Sequence, residues 1–298
     1  MEPVRDINRL KKLLTHLIIT TLICLLGLII GQFTIDFLVS AVLHLISGST
    51  HFEIDEQTIN TVTSNFSFLM IIALLSWYMR LKEKSNLQAL YFCKEKERPK
   101  MLVFGALSGV SLCFLAVLVA VFHKDLSFEF HEIDFGIIML VLLSLIIQGC
   151  AEEMLFRGYL LNGILEMYSP RLAILASGML FGIAHIFNPG ITFLGGFNII
   201  IAGIAFSYIA IKLNSLSFVI AMHIMWNFTQ EVVFGLPNSG IHFSNSILYV
   251  ADSRDTLFNN QIFGIEASLQ MPVIWIAFML IIMFFAKRDK ISRLSQND

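Results

Sequence analysis

Four stretches place side chains capable of chemistry inside runs that otherwise read as apolar. CAEEMLFRG, at 150–158, sets Glu152, Glu153 and Arg157 between GIIMLVLLSLIIQG and YLLNGIL. FGIAH carries Phe181 and His185, HIMWN carries His223 and Asn227, and the first apolar run holds Gln32 and Asp36. Ionisable groups at membrane depth are costly and usually functional. A buried carboxylate can act as a general base, and donors aimed at a developing oxyanion supply a large share of catalysis in a dry site. A glutamate and two histidines could also hold zinc with one open position for water.

Helical spacing sorts these groups. Glu153 and Arg157 are four apart with the acid first, the favourable order for a same-face ion pair. Glu152 points roughly 100° away from that face. Arg157 is thus expected to neutralise Glu153, which leaves Glu152 free to point elsewhere. His223 and Asn227 are also four apart and share a face. Gln32 and Asp36 have no evident partner and read as packing residues, and Cys150 reads as a small buried hydrophobe.

The elements that must position these groups are membrane helices. The chain has 298 residues, of which 56% are hydrophobic and only 14% charged; a soluble domain carries about a quarter charged residues, so the balance indicates a polytopic membrane protein. The net charge of −2 argues against a general affinity for nucleic acid. Four scattered cysteines, without a CxxC or Cys/His ladder, argue against a disulfide framework or zinc finger. The first apolar run is too long for a signal peptide and lacks a small-x-small cleavage site, so it reads as a retained span.

A span needs roughly 20 apolar residues. Eight segments qualify: Leu13–Ile46, Ile59–Met79, Met101–Phe122, Phe135–Leu165, Leu172–Phe187, Ile191–Ile211, Leu216–Phe234 and Ile265–Ala286. The first is over-long, and the second is weakened by Thr, Ser and Asn in its first half. The expected fold is therefore all-α, with about eight transmembrane helices and the chemistry on spans four to seven. Residues 1–134 would form an N-terminal three-span region, 135–235 the core, and 236–298 an outer loop, a last span and a basic tail.

Charge supports this count. With both termini cytoplasmic, the basic residues of the connecting segments fall inside except Lys124 and Arg254, while stretches such as HFEIDEQ lie outside. The basic segment around 80–100 then reads as a solvated cytoplasmic loop. A rise of about 1.5 Å per residue puts Glu152 very roughly 20–24 Å deep, His185 about 21 Å and the His223/Asn227 pair about 12–18 Å. These depths fit one layer. GALSG at 105–109 and GMLFG at 178–182 would let helices approach closely.

EEMLFRG, FGIAH and HIMWN together resemble the three ordered motifs of the CPBP family, the CAAX-protease and bacteriocin-processing (abortive-infection) intramembrane proteases. FNIIIAGIAFSYIAIKLNSLSFVIAMHIMWN also resembles the family's run into the third motif. The likeness covers about residues 135–235; the first three spans share only their hydrophobicity with it. The resemblance implies an intramembrane endopeptidase, of a type often classed as a metalloendopeptidase, acting on a membrane-associated peptide or protein. It implies that Glu152 and His185 activate a water, that His223 and Asn227 stabilise the oxyanion, and that Glu153, Arg157 and Phe181 support the site. It leaves the metal open. Zinc on Glu152, His185 and His223 is one reading; the metal-free reading is preferred, because Asn is a poor zinc ligand and no carboxylate is evident that would orient both histidines.

HExxH, GxGD and GxSG are absent, which disfavours the site-2 zinc, aspartyl and rhomboid types of intramembrane protease. Two other classes stay open. One is a proton-coupled transporter using Glu152 and the histidines as a relay, although no repeated halves or broken helices are evident. The other is a non-catalytic immunity or scaffold protein that keeps the motifs. Substrate identity, any prenyl group on it and the oligomeric state are not legible.

Overall fold

Polar residues at the borders of the apolar runs decide where the helices begin. The computed structural model describes residues 2–46, 55–83, 98–130, 134–243 and 245–294. Asp55 caps α2 (Glu56–Ser67), Asp134 caps α5 (Phe135–Glu153), Ser169 caps α7 (Pro170–Ala184), Thr192 caps α8 (Phe193–Leu213) and Ser215 caps α9 (Leu216–Phe228). Each accepts a hydrogen bond from an otherwise unpaired amide of the first turn. Asn214 adopts the left-handed conformation (φ 48°) that ends α8, so the chain reverses into α9 within two residues.

The remaining elements are α1 (Glu2–Ile46), α3 (Leu69–Tyr78), α4 (Arg98–Phe122), β1 (Leu126–Phe130), α6 (Asn162–Leu165), β2 (Leu248–Ser253) and α10 (Gln270–Leu294). Helices overlie all eight expected segments. Among the described residues five helices are long and apolar enough to cross a membrane: Ile7–Val39, Glu56–Leu81, Arg98–Phe122, Phe135–Leu165 and Phe193–Leu213. Pro170–Ala184 and Gln270–Phe285 are shorter apolar helices, and the seventh expected segment is α9 continued by a π turn, Thr229–Val233. The eight expected crossings thus correspond to five such helices and three shorter ones. Lys84, Lys94, Lys96 and Cys93 lie outside the described residues.

The second segment is polar for a structural reason. In α2 the buried residues are Thr58, Thr61, Val62, Thr63, Asn65 and Ser67. Asn65 donates to Ser144 Oγ of α5 at 3.1 Å. This half faces protein and the apolar α3 follows it, so its low hydropathy reflects an internal position. Gln32 and Asp36, expected to lack partners, bond each other along α1 at 2.8 Å.

Small residues bring the central helices together. At Gly105 and Gly109 of α4 a Cβ would collide with the backbone of Phe218 and Met222 on α9. A Cβ at Gly178 of α7 would likewise strike the Ile204 amide of α8, and one at Gly182 the Ile200 side chain. The expectation for both glycine pairs therefore holds, and close approach replaces the hydrophobic drive that lipid does not supply.

An all-α description omits one feature. β1 and β2 form an antiparallel two-stranded sheet running from Leu126↔Ser253 to Phe130↔Leu248, with an irregularity between Ser127 and Phe128. The connection between α9 and α10, expected to be a loop, buries Leu236, Phe243 and Phe263 and packs as a cap.

Candidate active site

The site starts on α5. Its last two residues are Glu152 and Glu153, and a π turn, Met154–Leu161, follows immediately before α6. Wider π turns inside α-helices often accompany functional sites. Glu153 and Arg157 are fully buried and joined at 2.7 Å, the expected i,i+4 pair. Arg157 also donates to the Gly203 carbonyl of α8 at 3.2 Å. Its guanidinium lies over the rings of Phe181 (4.3 Å) and Phe206 (5.2 Å). Arg157 therefore locks α5, α7 and α8 through charge, hydrogen bonding and ring contact.

Glu153 has a second partner. Its Oε1 accepts from His223 Nδ1 at 2.9 Å as well as from Arg157. No carboxylate was expected to orient both histidines, and one orients only the second: Glu153 fixes the ring of His223 and directs Nε2 away. That nitrogen lies 3.9 Å from Glu152 Oε2. Glu152 does point elsewhere, as its rotation from the ion-pair face requires, and its Oε1 accepts from Gln148 at 3.2 Å.

His185 was placed within a span ending at Phe187, but α7 ends at Ala184 and His185 is its cap residue. Its Nδ1 meets the Phe181 carbonyl at 2.8 Å. A carbonyl only accepts, so Nδ1 carries a proton, and in the neutral ring Nε2 is then the acceptor. Both imidazoles thus have Nδ1 anchored, by a carboxylate in one case and a backbone carbonyl in the other.

Glu152, Phe181, His185, His223 and Asn227 all line one cavity of about 230 Å³. Glu153 and Arg157 stand behind its wall. Helical spacing had grouped the acids with the arginine and His223 with Asn227; tertiary packing brings the two groups and His185 together. Among the described residues Glu152 has His223, not His185, within 4.0 Å.

The zinc reading can be tested on the donor set. Anchored Nδ1 atoms are the support that zinc-binding histidines usually have. However, among the described residues no three His, Cys, Asp or Glu side chains converge to hold a metal ion. Glu152, His185 and His223 as arranged do not fit a three-ligand centre.

Several residues of the cavity were not anticipated. Gln148 lies four residues before Glu152, and Glu231 lies four after Asn227; the same spacing that paired the motif residues would have found both. Glu231 bonds Asn238 Nδ2 at 2.5 Å. Glu266 accepts from Gln230 at 2.6 Å and from the Ser239 amide at 3.1 Å. It belongs to the short turn Ile265–Ala267 ahead of α10. No local spacing signals Glu266 or Asn238, because the folding of the cap delivers them.

Residues 134–229 match the family described as type II CAAX prenyl endopeptidase Rce1-like. The matched segment runs from the cap of α5 to the start of the π turn after α9, and so contains all three motifs. No curated protein and no solved structure matches the chain.

Proposed function

Starting from a segment of the Rce1-like type II CAAX prenyl endopeptidase family at residues 134–229, we propose that this protein is an intramembrane endopeptidase that cleaves a membrane-associated peptide or protein with a water activated by Glu152 and His185. The observation that carries the reading is that two histidines on one cavity both have Nδ1 anchored, one by a neutral backbone carbonyl and the other by a carboxylate. His185 donates Nδ1–H to the Phe181 carbonyl, so its Nε2 is an acceptor able to take a proton. In the acting form proposed here His223, whose Nδ1–H is held by Glu153, also carries a proton on Nε2 and so offers that atom as a donor.

The roles divide accordingly. Glu152 and His185 draw the proton from water as its oxygen attacks the scissile carbonyl carbon. The carbonyl π electrons move to oxygen, and His223 Nε2–H with the Asn227 amide binds the resulting oxyanion. Collapse of the tetrahedral intermediate expels the amine, which receives the proton held by Glu152 or His185. Two carboxylates, Glu152 and Glu153, balance Arg157 and a doubly protonated His223, so the cluster is neutral in the form that acts. That balance lowers the cost of keeping four ionisable groups at membrane depth. Arg157 is a positioning residue, since it reaches the cavity through Glu153 and the rings of Phe181 and Phe206.

The general-base assignment is tested with purified protein in vesicles, comparing wild type and Glu152→Gln on membrane-anchored substrates. Wild type should cleave, and the Gln variant should be slower by about 10²–10⁴. Equal turnover by the two would remove Glu152 from the mechanism. The same preparations decide between this reading and a binding protein: a chain that never cleaves would favour the immunity or scaffold class.

A further inference from the structure

The cavity continues past the proposed catalytic groups. His223, Asn227 and Glu231 follow one another at four-residue intervals along α9 and its π turn, and all three line it. Glu231 and Glu266 lie beyond the segment matched by the family, so the likeness assigns them nothing.

Glu231 is 3% exposed, and only its Oε1 is engaged, by Asn238. Its Oε2 is buried without a hydrogen-bond partner. Asn198, on the facing helix α8, is 2% exposed and donates both its bonds to backbone carbonyls of the cap, Glu266 O and Ser268 O. Those bonds fix its amide orientation, and its Oδ1 is likewise unpaired. Both residues line the cavity, and no Lys or Arg does among the described residues. The unfilled polar atoms at this end are therefore acceptors, one of them on a carboxylate. A buried acceptor without a donor is costly, and more so when it is charged.

We propose that Glu231, with Asn198, forms a subsite for a cationic nitrogen of the substrate, an ammonium or guanidinium that enters with the peptide and supplies the missing donors. This rests on the endopeptidase reading for the identity of the ligand. Eight residues of helix separate His223 from Glu231, about 12 Å. An extended peptide covers that distance in about three to four residues at 3.3–3.6 Å each. The basic residue thus sits up to about four positions from the bond cleaved. Glu266 is already occupied by Gln230 and Ser239, so it holds the cap in place.

Binding decides the matter independently of turnover. In the Glu152→Gln protein, apolar peptides carrying lysine at each of four successive positions are compared with norleucine versions of the same length. All are N-acetylated; one further norleucine peptide keeps its free α-amine. The best lysine peptide should bind at least ten-fold more tightly than its norleucine twin, and Glu231→Gln, which retains an acceptor for Asn238, should erase the difference. If the free α-amine rather than lysine gives the gain, the nitrogen is an N-terminus and the subsite stands. Equal affinities across the series, no binding at millimolar peptide included, overturn it. A lysine gain that persists in a folded Glu231→Gln protein also overturns its assignment to Glu231. Should that variant fail to fold, the comparison of lysine with norleucine in the parent protein still decides. Cleavage of these peptides by wild type is scored separately: no cleavage counts against the endopeptidase reading, whereas cleavage with no lysine preference counts against the subsite.

Discussion

Glu153 is the residue on which the site turns, because one oxygen, Oε1, serves both Arg157 and His223. Removing either member of the Glu153–Arg157 pair leaves a buried unpaired charge, with a penalty of roughly 3–5 kcal/mol. Glu153→Gln and Arg157→Met should each lower the unfolding temperature sharply, and the double variant should be more stable than the sum of the two losses predicts. Simple additivity in a thermal-unfolding cycle would show that the ion pair does not govern this part of the fold. The metal question belongs at this scale too. Because the donor set does not converge on a three-ligand centre, a chelator should leave the activity of purified protein intact. Stoichiometric zinc, lost together with activity and restored with it, would contradict the proposed chemistry.

Among the elements, the contact of α4 with α9 holds the strip that carries His223, Asn227 and Glu231. Gly109 permits it, since a Cβ there would strike the Met222 carbonyl and the Trp226 amide. Overpacking a tight contact costs typically about 1–3 kcal/mol. Gly109→Leu should therefore destabilise the protein by at least that order, whereas Gly196→Ala, whose nearest neighbour is Ile191 Cδ1 at 3.8 Å, should be tolerated. Similar unfolding temperatures for the two variants would disprove the role given to the glycine contact. Periodicity made much of this scale legible: the Glu153–Arg157 pair, the small-residue contacts and the placement of helices are local or hydropathic signals. The capping of α7 at His185 was missed because apolar residues continue to Phe187, and hydropathy does not record where a helix stops. The His223–Glu153 bond was missed because it joins residues 70 apart in sequence, a distance at which spacing says nothing.

At the scale of the whole molecule, composition sufficed for a helical membrane protein, but not for the sheet or the cap that closes over the cavity. Leu236, Phe243 and Phe263 are scattered through a segment rich in Asn, Ser and Gly, so no periodic pattern reveals their burial. The charge distribution makes a separate prediction, that both termini and the 81–100 segment face the cytoplasm. A single cysteine placed at Lys96 in an otherwise cysteine-free chain should be labelled by an impermeant reagent only after the membrane is opened; labelling in intact cells would invert or break the topology. The account as a whole stands on direct attack by water at Glu152 and His185. Its most direct measurement is a single-turnover cleavage of a vesicle-embedded substrate in heavy-oxygen water, with mass analysis of both products and of the protein, for wild type and Glu152→Gln. The account predicts one heavy oxygen in the new C-terminal carboxylate, no covalent adduct on the protein, and product formation slower by about 10²–10⁴ in the variant. An acylated protein, or undiminished product from Glu152→Gln, would contradict it.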